Sequence, residues 1–147
     1  IWRMLKMARA LAKEVYPELN YDLVIAGTFL HDLGKITELN SLPVISITRE
    51  GYLEGHIILG LKLLDQLLKQ VSDFPAELRL ELEHIILSHH GKPEFGSPKI
   101  PVFPEAVAVS LADDVECKIE QYLRAREEAS TDNDWFWSKR LGSVYLR

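Results

Sequence analysis

Two short stretches gather three of the chain's five histidines, one of them beside an aspartate: Leu30-His31-Asp32-Leu33-Gly34-Lys35 and Ser88-His89-His90-Gly91. An imidazole beside a carboxylate at the end of an apolar run costs free energy unless each finds a partner, and a metal ion satisfies both. The chain has five histidines, His31, His56, His84, His89 and His90, the last three close together. With Asp113 in Leu111-Ala112-Asp113-Asp114, they make a nitrogen- and oxygen-donor set without a usable thiolate. Such a set suits Mn, Fe, Zn or Mg. With Asp32 as a bridge it is large enough for two ions, about 3.5–4 Å apart, that activate a water for hydrolysis of a phosphate ester.

Each of these residues has a plainer reading. An isolated His-Asp pair is ordinarily a surface or capping pair, and it is the company of the paired histidines and the downstream aspartate that turns the reading toward metal. His84 points well away from His89 at about 100° of helical rotation per residue, which makes it a satisfied core histidine or a support for the ligands. Asp114 faces away from its neighbour Asp113 and reads as a solvated charge. Lys35 suits a helix C-terminus, and equally a phosphoryl oxygen on which charge builds during attack. Trp2 reads as a packing residue, while Trp135 and Trp137 leave stacking on bases open.

The elements that must position these groups are helical. Leu5, Ala8, Leu11, Ala12 and Val15 recur at helical steps, predicting an amphipathic helix from Ile1 to Tyr16 that stops near Pro17. Asn20 caps a second, nearly all-apolar and therefore central helix, which Gly34 terminates. The stretch 36–51 reads as an irregular loop or a small hairpin. Further helices are expected over 52–71, 75–88 and 104–129, the last with Val107, Leu111, Val115, Ile119 and Tyr122 on one face. The tail from Asp132 has large aromatics without helical spacing. The predicted class is all-α, a helical bundle able to aim side chains from several helices into one cavity.

With 147 residues, 47% of them hydrophobic, the chain suits one domain with its own core. The only cysteine, Cys117, excludes an intrachain disulfide, so a reducing cytoplasm is the expected setting. No apolar run is long enough to span a bilayer, so no membrane partner is expected. A net charge of −5 argues against gripping nucleic acid by bulk electrostatics, and any phosphate-bearing substrate must be held locally. The chain opens in mid-pattern at Ile1 and reads as part of something longer.

These residues resemble the HD superfamily of metal-dependent phosphohydrolases, and within it the HD domain of YhaM-type 3′-to-5′ exoribonucleases. The likeness covers nearly the whole chain, through YPELNYDLVIAGTFLHDLGKITEL, EGYLEGHIILG, LEHIILSHHGKPEFGSPKIP, LADDVECKIE and the closing RLGSVYLR. It implies a metal-dependent phosphodiester hydrolase of 3′-to-5′ exoribonuclease type, with two divalent ions such as manganese. His31 and Asp32 match the adjacent ligand pair, with Asp32 bridging, and Asp113 closes the first site. His56, His89 and His90 match the ligands of the second site, and Lys35 matches the lysine near the substrate phosphate.

The substrate implied is single-stranded RNA or DNA. A nucleotide or cyclic nucleotide remains the alternative, as does a non-catalytic binding domain, and a homo-oligomer is compatible with any of them. On this reading residues 1–147 form an HD domain whose first histidine ligand and nucleic-acid-binding barrel lie upstream of Ile1.

Overall fold

In the computed structural model, which describes residues 1–130 and 133–146, helix α1 (Trp2–Ala10) continues into a wide π-helical turn over Leu11–Val15. Helix α2 (Tyr21–Leu30) begins at Asn20, whose Oδ1 accepts the Leu23 N–H at 3.1 Å, the side-chain cap that a helix start calls for. Turns carry the chain to the short α3 (Lys35–Glu38) and a two-residue antiparallel pair, β1 (Leu39–Asn40) with β2 (Ser46–Ile47). Thr48 caps α4 (Arg49–Leu68), which is interrupted at Gly55, where φ is 72°. Helix α5 (Ala76–Ser88), a single 3-10 turn at Pro93–Phe95, and α6 (Pro104–Glu128) complete the helical body. None of the described helices is long and apolar enough to cross a membrane.

The chain divides into two compact units, Ile1–Asp113 and Asp114–Arg147, with the boundary inside α6. In the first unit α2 is central, as its apolar character requires: Val24 is fully buried and packs in one cluster with Met4, Ile57, Leu64, Ile85 and Ile86. In the second unit β3 (Trp135–Ser138) pairs antiparallel with β4 (Gly142–Tyr145). The three residues between them, Lys139, Arg140 and Leu141, lead into Gly142 at the start of β4, whose φ of 73° suits the left-handed position of such a hairpin.

Several expectations are corrected. The all-α description holds for the helical body, but the described residues also contain two small sheets, one of them in the aromatic tail. Gly34 is not a helix stop: its φ is −63° and it opens α3. Its lack of a side chain is a matter of space, because a Cβ there would lie 1.8 Å from the His56 carbonyl oxygen and 2.6 Å from the Gly60 nitrogen. On α6 the buried positions of the first unit are the small Ala106, Ala108, Val109, Ser110 and Ala112, while Leu111 lies largely in solvent. Trp2 is 67% exposed, with the Lys6 ammonium over its ring, rather than packed.

The Gly34 contact gives a stability prediction. Gly34→Ala should destabilise the fold by roughly 3 kcal/mol, since the clash is with backbone that cannot rotate away. The urea midpoint of Gly34→Ala against the parent measures it, with Gly142→Ala, where nothing lies within 4 Å, showing the smaller effect of backbone strain alone.

Candidate metal centre

Three histidines converge on one carboxylate, with a fourth beside them. His31 follows the last residue of α2, His56 follows the Gly55 break in α4, and His89 and His90 follow the end of α5. Asp32 stands in the middle. Its Oδ1 lies 3.7 Å from His56 Nε2 and 3.7 Å from His89 Nε2, while Oδ2 lies 3.3 Å from His31 Nε2 and 2.6 Å from Lys35 Nζ. Asp113 Oδ1, from α6, reaches His31 Nε2 at 3.6 Å. The ligand atoms of His56, His89 and His90 lie within 4.8 Å of one another.

What makes the cluster informative is where the protons are. His31, His89 and His90 each turn Nδ1 toward a backbone carbonyl, that of Thr28 at 2.8 Å, Ile86 at 2.8 Å and Phe95 at 2.9 Å. A carbonyl only accepts, so each Nδ1 carries the proton and donates, and each Nε2 is left to face the cavity. His56 Nδ1 is 3.3 Å from Glu38 Oε1, which leaves its Nε2 facing inward too.

Three of the inward atoms, Asp32 Oδ1, His56 Nε2 and His89 Nε2, are buried and without a hydrogen bond. At 3.7 Å they are too far apart to share a proton well. Unpaired lone pairs facing one another in a desolvated cavity cost free energy, and a cation among them removes that cost. This donor set fits a divalent metal ion.

The electrostatics point the same way. Burial works against a charge on His31, but Asp113 and Asp32 outweigh it and hold its pKa up at about 9. Burial would raise the Asp32 carboxyl; His31 and Lys35 instead keep it well below the usual carboxylate range, and Asp113 is lowered by His31. Burial pushes His89 down to about 4, with His90 and His31 adding to the effect, and lowers His90 as well. His89 is therefore a neutral imidazole, the form that ligates. The negative field that keeps a proton on His31 is one that a dication neutralises.

The residues matched to metal ligands, His31, Asp32, His56, His89, His90 and Asp113, lie together here with Lys35, whereas Trp135 and Trp137 are on the hairpin of the second unit. His84 Nε2 accepts the Val102 N–H at 3.3 Å and its ring packs on Phe103, a structural role. Asp114 pairs with Lys118. Lys35 starts a helix rather than ending one, and its ammonium pairs with Asp32 while the side chain stays 45% exposed.

The residue that sequence reasoning missed is Glu38. Its Oε1 accepts the His56 backbone N–H at 3.0 Å and faces Nδ1 of the same residue, so it sets both the start of the post-Gly55 helix and the orientation of the ring. No spacing in the chain links positions 38 and 56; only the fold does.

A family model described as HD domain matches residues 1–117. The chain belongs to the HD-domain family. The 3′-5′ exoribonuclease YhaM of Shouchella clausii is 44% identical over 124 residues, 84% of this chain and 38% of that protein. That of Bacillus subtilis is 43% identical over 84% of the chain and 39% of its own length, and that of a Geobacillus strain 41% over 85% and 38%. This HD domain thus spans about two fifths of the curated relatives it matches. No solved structure matches it significantly.

If Glu38 orients His56 toward a metal, Glu38→Ala should weaken divalent-ion affinity by about 10- to 100-fold, the usual effect of losing a ligand's supporting partner. Mn titration followed by thermal unfolding checks this. The parent should gain about 2.7 kcal/mol at 100 times its Kd, and Asp32→Ala should gain nothing.

Proposed function

We propose that this HD domain hydrolyses phosphodiester bonds in single-stranded RNA, removing nucleotides from the 3′ end. The observation that carries the hydrolytic reading is the set of buried, unpaired lone pairs around Asp32. The RNA reading is supported by the exoribonuclease relatives, whose names say they degrade RNA in that direction.

The ligand roles belong to the same proposal, supported by the grouping of His56, His89 and His90 and by the approach of Asp32 and Asp113 to His31. His56, His89 and His90 would hold one divalent ion, His31 and Asp113 would contribute to a second, and Asp32, with one oxygen turned to each group, would bridge them. Ions in those positions supply Lewis acidity, lowering the pKa of a water and offsetting charge on phosphoryl oxygens.

The chain's own residues prepare the cavity for that chemistry. Carbonyls of Thr28, Ile86 and Phe95 hold Nδ1 of their rings, so His89 and His90 need not rotate to present Nε2, while His31, kept charged by Asp113 and Asp32, would release its Nε2 proton on ligating. Burial keeps His89 neutral at working pH. Lys35, with its side chain 45% exposed, has one foot on Asp32 and access to solvent, so its ammonium can bind a non-bridging phosphoryl oxygen of an arriving substrate. Neutralising that oxygen as charge accumulates is worth about 10²–10³ in rate for one such donor.

The test is a 5′-labelled single-stranded oligoribonucleotide incubated with the full protein, with Mn or with chelator. Laddering from the 3′ end with Mn and none with chelator is expected. Lys35→Met should slow it by roughly 10²-fold with little change in KM, and His84→Gln should leave the rate within about threefold. Turnover of free or cyclic nucleotides with no action on the oligonucleotide would replace RNA as the substrate. An inert protein with full metal occupancy would remove the enzyme reading.

A further inference from the structure

The second unit carries an aromatic surface that the metal centre does not use. On β3 the side chains alternate: Trp135 and Trp137 are 61% and 69% exposed, while between them Phe136 faces the unit's interior opposite Val144, which is 1% exposed. Across the ladder from Trp135 stands Tyr145, 52% exposed, the two rings 5.0 Å apart. Ser143 lies opposite Trp137. The outward face of the hairpin is therefore three aromatic rings and a hydroxyl, with the apolar packing done by the other face. The Trp135–Tyr145 pair helps hold the two strands together, but burial does not account for the three exposed rings, because the inner face already packs through Phe136 and Val144.

The hairpin itself, from Trp135 onward, carries positive charge only, although Asp134 precedes it. Residues 135–146 include Lys139 and Arg140 and no acidic residue, in a chain with a net charge of −5. Both basic residues sit at the turn joining the strands. They also line a groove of about 390 Å³ between the hairpin and the last turns of α6, together with Arg124 and Ser138. Glu128 also lines it, and Arg124 is paired with Glu120 at 3.0 Å, so the cations the groove offers a ligand are Lys139 and Arg140. A protein partner for an aromatic face does not call for a cationic groove beside it. A strand of nucleotides does, because bases stack on rings while the phosphates between them need positive charge. A duplex keeps its bases stacked on one another and offers no free base face to the rings.

We propose that this hairpin is a single-strand nucleic-acid platform, on which Trp135, Trp137 and Tyr145 stack bases and Lys139 and Arg140 hold the adjoining phosphates. The inference rests on the RNA reading of the substrate but assigns it to residues outside the metal cavity, so the two fail separately. Consecutive outward positions on a strand are about 6.6 Å apart, near the extended spacing of nucleotides, so Trp135 and Trp137 address neighbouring bases.

Fluorescence anisotropy of a labelled single-stranded 12-mer RNA with the full protein, in chelator so that nothing is cleaved, tests it. Trp137→Ala should weaken binding by roughly 5- to 150-fold, and Trp137→Phe should retain most of it. Because Trp→Ala could loosen the hairpin, Lys139→Glu with Arg140→Glu serves as the second variant. It leaves the rings in place, should weaken binding, and should reduce the slope of log K against log salt by about 1.4, two phosphates at 0.7 each.

Parent-like affinity and salt slope in both variants would overturn the platform even if the protein degrades RNA. Binding to duplex as tight as to single strand would overturn it too, as would no binding of the 12-mer by the parent. Variant-sensitive binding in a protein that never hydrolyses RNA would keep the platform and remove the catalytic reading.

Discussion

The structure depends on the mutual repulsion of lone pairs that the fold forces together. Asp32 Oδ1 and the Nε2 atoms of His56 and His89 meet without a proton to share, because backbone carbonyls and Glu38 have already claimed the Nδ1 side of the rings. Packing of α2, α4 and α5 supplies the energy that holds them there: each of these helices gives buried apolar residues to one core and a ligand-type residue at its end or at its break. Placing polar groups at helix ends has a further logic. A residue just past the last turn is free of the helix's side-chain spacing, so its ring can be aimed by a carbonyl of the preceding turn, as Thr28 aims His31 and Ile86 aims His89.

Much of this is legible in the sequence because the signals are local. Asn20 caps where a short polar side chain before an apolar run should cap, and His31, Asp32, His89 and His90 stand out as titratable groups at the ends of apolar helices. Other features depend on contacts between distant segments and leave no local trace. Gly34 looks like a helix terminator, yet its reason is the His56 carbonyl pressed against it. Glu38 looks like one more loop carboxylate until α4 folds beside it. On α6 a stripe of large apolar residues invites burial, but the core takes the alanines and Val109, since small side chains let the helix come close enough for Asp113 to reach His31.

The tail hides its structure for a different reason. Alternation along Trp135-Phe136-Trp137-Ser138 is invisible to hydropathy because both faces carry aromatics; only pairing with β4 separates the buried ring from the exposed ones. The same separation distinguishes a ring that stabilises the unit from rings available to a ligand.

The segment between Glu38 and Thr48 is clamped at both ends: the Thr48 N–H donates to the Glu38 carbonyl at 2.8 Å and the Thr48 hydroxyl to the Thr37 carbonyl at 2.9 Å. Those bonds close the loop at its base, so what lies beyond them is mechanically insulated from His56 and Asp32. Residues 41–45 can thus lengthen, shorten or change composition in the course of evolution without disturbing the ligands, which makes this the point in the helical body where new specificity is cheapest to acquire.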